Sequence, residues 1–162
     1  MPFDKSQFWD SDVGSHERLT DEMVASIESR LGHKLPREYI ELLQIKNGGY
    51  TRGFGFPMSQ ATTWAEDHVP LYDLKGIARE PFSHGPLSLA DNSYLCEEWG
   101  LPSKQVLLSG DGHYWITLDY RNGEVPSVSW IDTECDEDIP VASTFGAFLE
   151  GLRPQEEFDF EI

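Results

Sequence analysis

The sequence predicts a single α+β domain, with a central, mostly antiparallel sheet carrying an N-terminal helix pair and a C-terminal helix. Three observations lead there. Two amphipathic segments with helix start and stop residues fall within 19–49, strand-like runs separated by turn formers fill 105–132, and a last amphipathic segment begins near 143. The chain has 162 residues, enough to bury about 70% of the surface of its unfolded form without a disulfide or metal staple. No repeat or low-complexity linker divides it, so one domain is expected over 1–162, with a core at 19–152 and an acidic tail at 153–162.

In LTDEMVASIESRLG, Thr20 is placed to cap a helix, Asp21 and Glu22 favour the positive end of its dipole, and Leu19 can staple onto Val24. Met23, Val24, Ile27 and Leu31 recur at helical spacing, and Gly32 supplies the stop. A second helix is predicted in LPREYIELLQIKNGG. Pro36 fits its first position, Tyr39, Leu42 and Leu43 share a face, and Asn47-Gly48-Gly49 permits the left-handed backbone that ends it.

Residues 50–90 are rich in Gly, Pro and aromatics, and only VPLYDLKGIA reads as a short strand, with loops on both sides. Asn92 to Trp99 reads as a short helix ended by Gly100. The runs QVLLS, HYWITLDY and VPSVSWID, divided by Gly110-Asp111-Gly112 and Asn122-Gly123, then read as an antiparallel meander. Ser143 is expected to cap the last helix, whose Phe145, Phe148, Leu149 and Leu152 share a face.

Charge is the bulk property with functional content: 29 acidic side chains against 12 Lys and Arg give a net charge of −17. Such a field repels nucleic acid and anionic membrane and steers basic partners inward. No segment approaches the roughly 20 apolar residues of a membrane helix, and no apolar run with a basic flank opens the chain, so a cytoplasmic protein with no membrane partner is expected. Cys96 and Cys135 have no metal-type spacing and are expected to be reduced thiols.

LLSGDGHYWITLDY is the stretch most suggestive of chemistry, with Asp111, His113 and Asp119 close together. Strand alternation puts His113, Trp115, Thr117 and Asp119 on one face and Tyr114, Ile116, Leu118 and Tyr120 on the other, which reads as the core face. His113 and Asp119 then lie about 20 Å apart along the strand, so they form no dyad. No metalloprotease, nucleophile-elbow, phosphate-loop or dinucleotide motif is present. Gly110, Asp111 and Gly112 therefore read as a turn, with Asp111 bonded to backbone, and no catalytic residue, cofactor or metal is assigned. His16, His33, His68 and His84 read as lone surface imidazoles. The run Asp132, Glu134, Asp136, Glu137, Asp138 lacks the glycine and terminal Glu of a calcium loop and reads as a solvated acidic loop, a landing surface for a partner.

A helix closed by LG, then KLPREYIELLQIKNGG, LLSGDGHYWITLDY, SVSWID and VASTFGAFLEGL, in this order over about 19–152, resembles the SUKH superfamily, which takes in bacterial immunity proteins of polymorphic toxin systems and fungal regulators of cell-wall synthesis. Leu35, Pro36, Tyr39, Leu42, Asn47, Gly48 and Gly49 match its N-terminal signature, Gly110, Asp111 and Gly112 its turn, and Ala142, Phe145 and Leu149 its closing helix. These are fold residues. The resemblance implies a non-enzymatic protein that binds and neutralises a cognate toxin, often a nuclease, whose basic groove an acidic protein can occupy. Asp132, Glu134, Asp136, Glu137 and Asp138, with Glu156, Glu157 and Asp159 of the tail, are the expected contacts. The alternative is an interaction scaffold in cell-wall or signalling regulation.

Overall fold

Capping chemistry sets the helices. In a computed structural model describing residues 3–10, 16–82 and 88–158, the Thr20 hydroxyl accepts from Met23 N–H at the start of α1 (Asp21–Leu31), and Gly32 ends it at φ +76°. Pro36 stands just before α2 (Arg37–Ile45) instead of inside it. Helix α3 (Asn92–Trp99) ends at a left-handed Gly100. Thr144, not Ser143, caps α4 (Phe145–Gly151), its hydroxyl 3.0 Å from Ala147 N.

The strands form two antiparallel sheets. One has the order β2-β1-β7, with β1 at Gly49–Pro57, β2 at His68–Leu74 and β7 at Arg153–Pro154; the other is the meander β3-β4-β5-β6, with β3 at Gln105–Asp111, β4 at Tyr114–Asp119, β5 at Ser127–Asp132 and β6 at Glu137–Ala142. Lys75 N–H, just past β2, donates to Leu108 O at 2.9 Å and ties the sheets together. Strands β1 and β6 lie where the sequence reads as loop.

One continuous core joins α1, α2 and α4 to the inner faces of both sheets through Met23, Ile27, Leu42, Leu71, Leu118, Val128, Trp130 and Phe148. Ile116, Leu118 and Tyr120 face this core as alternation predicts. The opposite face of β4 is covered as well. Trp115 packs with Leu107 and with Leu95 of α3, while Thr117 and Asp119 are buried in a polar network. There Gln105 accepts from Thr117 Oγ1 at 2.6 Å and donates to Asp119 at 2.9 Å, and Ser129 donates to the second Asp119 oxygen. Buried polar groups that satisfy one another in this way avoid the desolvation penalty of a lone one.

Most signature residues hold the fold together. Leu35 and Phe145 are buried, and the Tyr39 hydroxyl donates to Lys75 O. Asn47 clamps two loops: its amide donates to Glu17 O and Ile77 O, and its oxygen accepts from Ile77 N at 2.7 Å. Gly48, at φ +88°, permits that approach, because a Cβ there would stand 2.5 Å from Gly76 N. Residues 153–158 of the tail pack on the fold: β7 pairs with β1, and the Phe158 ring stacks on His68 at 4.2 Å. His16, His33 and His68 are not lone surface groups. His33 stacks on Tyr120 at 4.1 Å, His16 and His33 are partly buried, and His68 is buried; His84 lies outside the described residues.

Candidate partner-binding surface

The turns at one end of the four-stranded sheet meet the loop between β1 and β2. The β3–β4 turn is Gly112-His113: Asp111 pairs with Tyr114 across it, and Gly112 at φ +64° takes the first loop position, as a tight hairpin requires. Gly110 and Asp111 thus belong to the strand rather than the turn, and the Asp111 carboxylate is exposed instead of bonded to backbone. Gly110 is needed for another reason. At φ +137°, a Cβ would fall 2.2 Å from Tyr114 O.

The acidic run proves to be a hairpin turn with several internal partners. Asp132, at 1% exposure, is no solvated loop residue. Its Oδ1 accepts from His113 Nδ1 at 2.8 Å and from Glu134 N and Cys135 N, while its Oδ2 accepts from Thr63 Oγ1 at 2.6 Å. Burial pushes this carboxyl up, but the Thr63 and His113 hydrogen bonds outweigh it and hold the pKa below the ordinary value. The same bond to Asp132, ahead of the nearby acids, raises the His113 pKa. Glu137 Oε1 accepts from Thr63 N and from Trp130 Nε1, both at 2.9 Å. Asp138 pairs with Arg121, which also grips Asp119. Glu134, beside His113 Nε2 at 3.3 Å, and Asp136, at φ +59°, are the turn acids that project outward. In the tail Glu156 is exposed, Glu157 pairs with Arg153, and Asp159 lies outside the described residues.

His113 thus has an aspartate partner, supplied by the neighbouring strand and not by Asp119. Cys135 lies in the same turn, its N–H bonded to Asp132, yet burial and the Asp132 and Glu134 carboxylates raise its pKa, which disfavours the thiolate. Among the described residues no cluster of His, Cys, Asp and Glu is placed to hold a metal, and no described helix is long and apolar enough to cross a membrane.

Next to this turn is a cleft of about 110 Å³ between the two sheets, which the sequence reading missed. Trp64 and Tyr72 stand at its mouth, each 38% exposed, and Tyr114 and Trp130 continue the wall inward. The rings touch in series, with Trp64 to Tyr72 at 5.9 Å, Trp64 to Tyr114 at 5.6 Å and Tyr114 to Trp130 at 5.7 Å. Asp73 and Asp111 add carboxylates to the lining. One Asp73 oxygen accepts from the Ser109 hydroxyl. Burial, then the charges of Asp111 and Asp73, push the Tyr114 pKa up.

The model of the SMI1 / KNR4 family (SUKH-1) matches residues 18–151. The chain belongs to the SUKH-1 family. This family includes toxin immunity proteins and SMI1/KNR4 regulators, which are generally non-enzymatic and act through protein–protein contacts. The matched span ends with α4, so in this SUKH-1 chain β7 and the turn that follows it fall outside the match. A comparison with curated proteins gives no match.

Proposed function

We propose that this SUKH-1 protein is an immunity protein that binds a cognate bacterial toxin, of nuclease type, and neutralises it by occupying its basic active or substrate groove. Membership of the SUKH-1 family carries the reading, and the net charge of −17 supports it. A nuclease presents Lys and Arg to phosphates, and an acidic surface competes for the same groove. Glu134, Asp136 and Glu156 are the proposed acidic contacts because they face solvent. Asp132, Glu137 and Asp138 shape the turn that presents Glu134 and Asp136. The protein would act in the cytoplasm by binding alone, with no cofactor.

Co-expression with the toxin encoded beside its gene tests this. Growth is expected to be rescued and the two proteins to co-purify as a complex that weakens with salt. If growth is not rescued and no neighbouring toxin co-purifies, the proposal fails.

A further inference from the structure

We propose that the cleft between the sheets is a receptor for a single arginine side chain presented by the protein partner. The inference rests on the toxin-binding reading only for which protein supplies that arginine. Trp64, Tyr72, Tyr114 and Trp130 form a continuous aromatic wall, with neighbouring centroids 5.6–5.9 Å apart. A guanidinium stacks on such faces, attracted by the ring quadrupole, and its planar fork of N–H donors matches carboxylate oxygens.

Two carboxylates stand where that fork would reach. Asp73 gives one oxygen to the Ser109 hydroxyl and keeps the other, and Asp111 is exposed and takes no hydrogen bond among the described residues. Neither is neutralised by an ion pair among the described residues. Lys75, whose charge they feel, holds its ammonium 4.9 Å from the Trp115 ring, on the face of β4 that packs against α3. The cleft thus combines two carboxylates with aromatic faces, and among the described residues that line it there is no cation. Its 110 Å³ suits one side-chain head better than a helix or a strand. A duplex or a phosphate group would meet like charge there.

The test uses N-acetyl-arginine amide as the probe and N-acetyl-citrulline amide, its neutral isostere, as the control, followed by NMR on the full chain. Saturable shifts are expected at the Trp64 indole and the Gly110 and Asp111 amides in the millimolar range with the arginine probe, and none with citrulline. Asp111→Asn should weaken binding about tenfold while leaving the spectrum folded, since this carboxylate has no structural bond to lose. Equal binding of citrulline, or no saturable shift in the cleft, overturns the proposal. Toxin rescue separates the two readings. Arginine binding without rescue supports the receptor and sinks the immunity assignment, whereas rescue without arginine binding does the reverse.

Discussion

His113 Nδ1 lies 2.8 Å from Asp132 Oδ1, joining the turn of one hairpin to the last residue of the strand beside it. This contact raises the imidazole pKa, and together with the Thr63 hydrogen bond it outweighs burial and lowers that of the carboxyl. The His113 contribution to stability is complete below the ordinary imidazole pKa and fades as pH rises through the folded value. That of Asp132 is present above the ordinary carboxyl pKa and fades as pH falls through its folded value. His113→Ala should therefore destabilise the protein more at mildly acidic than at mildly alkaline pH. Thermal unfolding at both pH values checks this, and NMR titration of Asp132→Asn should show the His113 pKa moving down.

Arg121 binds Asp119 and Asp138 together, at 2.6 and 2.7 Å. Arg121→Ala strands a buried carboxylate, but the guanidinium is 32% exposed, which screens the loss. A destabilisation of about 1–3 kcal/mol is expected by urea unfolding, below the full cost of breaking a buried pair.

Glycines should separate sharply by what surrounds them. A Cβ at Gly76 would meet Asn47 O at 2.3 Å, and one at Gly110 would meet Tyr114 O at 2.2 Å, whereas Gly32 has nothing within 4 Å. Gly76→Ala and Gly110→Ala should each cost more than about 3 kcal/mol or prevent folding. Gly32→Ala should cost about 1 kcal/mol, the penalty of a left-handed backbone alone. Equal losses at all three sites would contradict this geometry.

The acidic turn yields a contrast between projecting and bound acids. Glu134→Gln and Asp136→Asn should weaken the toxin complex at least about tenfold in low salt while changing the Tm far less than a bound acid's loss does, asparagine being chosen because it tolerates the left-handed backbone at 136. Asp138→Lys should lower the Tm, since it repels Arg121. Calorimetry on the purified pair measures both, and unchanged affinity in the first two variants removes the turn from the interface.

Local chemistry made the helices legible, as Thr20, Gly32 and Gly100 act on backbone groups within one turn. Where two hydroxyls adjoin, the pattern does not choose between them, and Thr144 took the position expected of Ser143. Strand β1 was hidden because GYTRGFGFP is written in turn formers. Gly55 is there for closeness, since a Cβ would strike Phe158 and His68. Strand β6 was hidden because Glu137 and Asp138 look solvated until Trp130, Thr63 and Arg121 supply partners. The His113–Asp132 contact depends on the register that sets Tyr114 opposite Asp132. The cleft gathers residues from the β1–β2 loop, β2, β3, β4 and β5, so no stretch of chain contains its pattern.

Strand β7 is two residues long, Arg153 and Pro154, yet it lies along β1 opposite Gly55 and Phe54. The segment around Trp9 bridges β1 at Thr51, and without β7 the peptide groups near Phe54 and Gly55 would be left open to an extended chain. Proline lacks the N–H with which a further strand could be recruited, and a charged neighbour discourages stacking. This short segment beyond the last helix thus gives the sheet an edge that is charged and proline-closed in place of an open, aromatic-rich one.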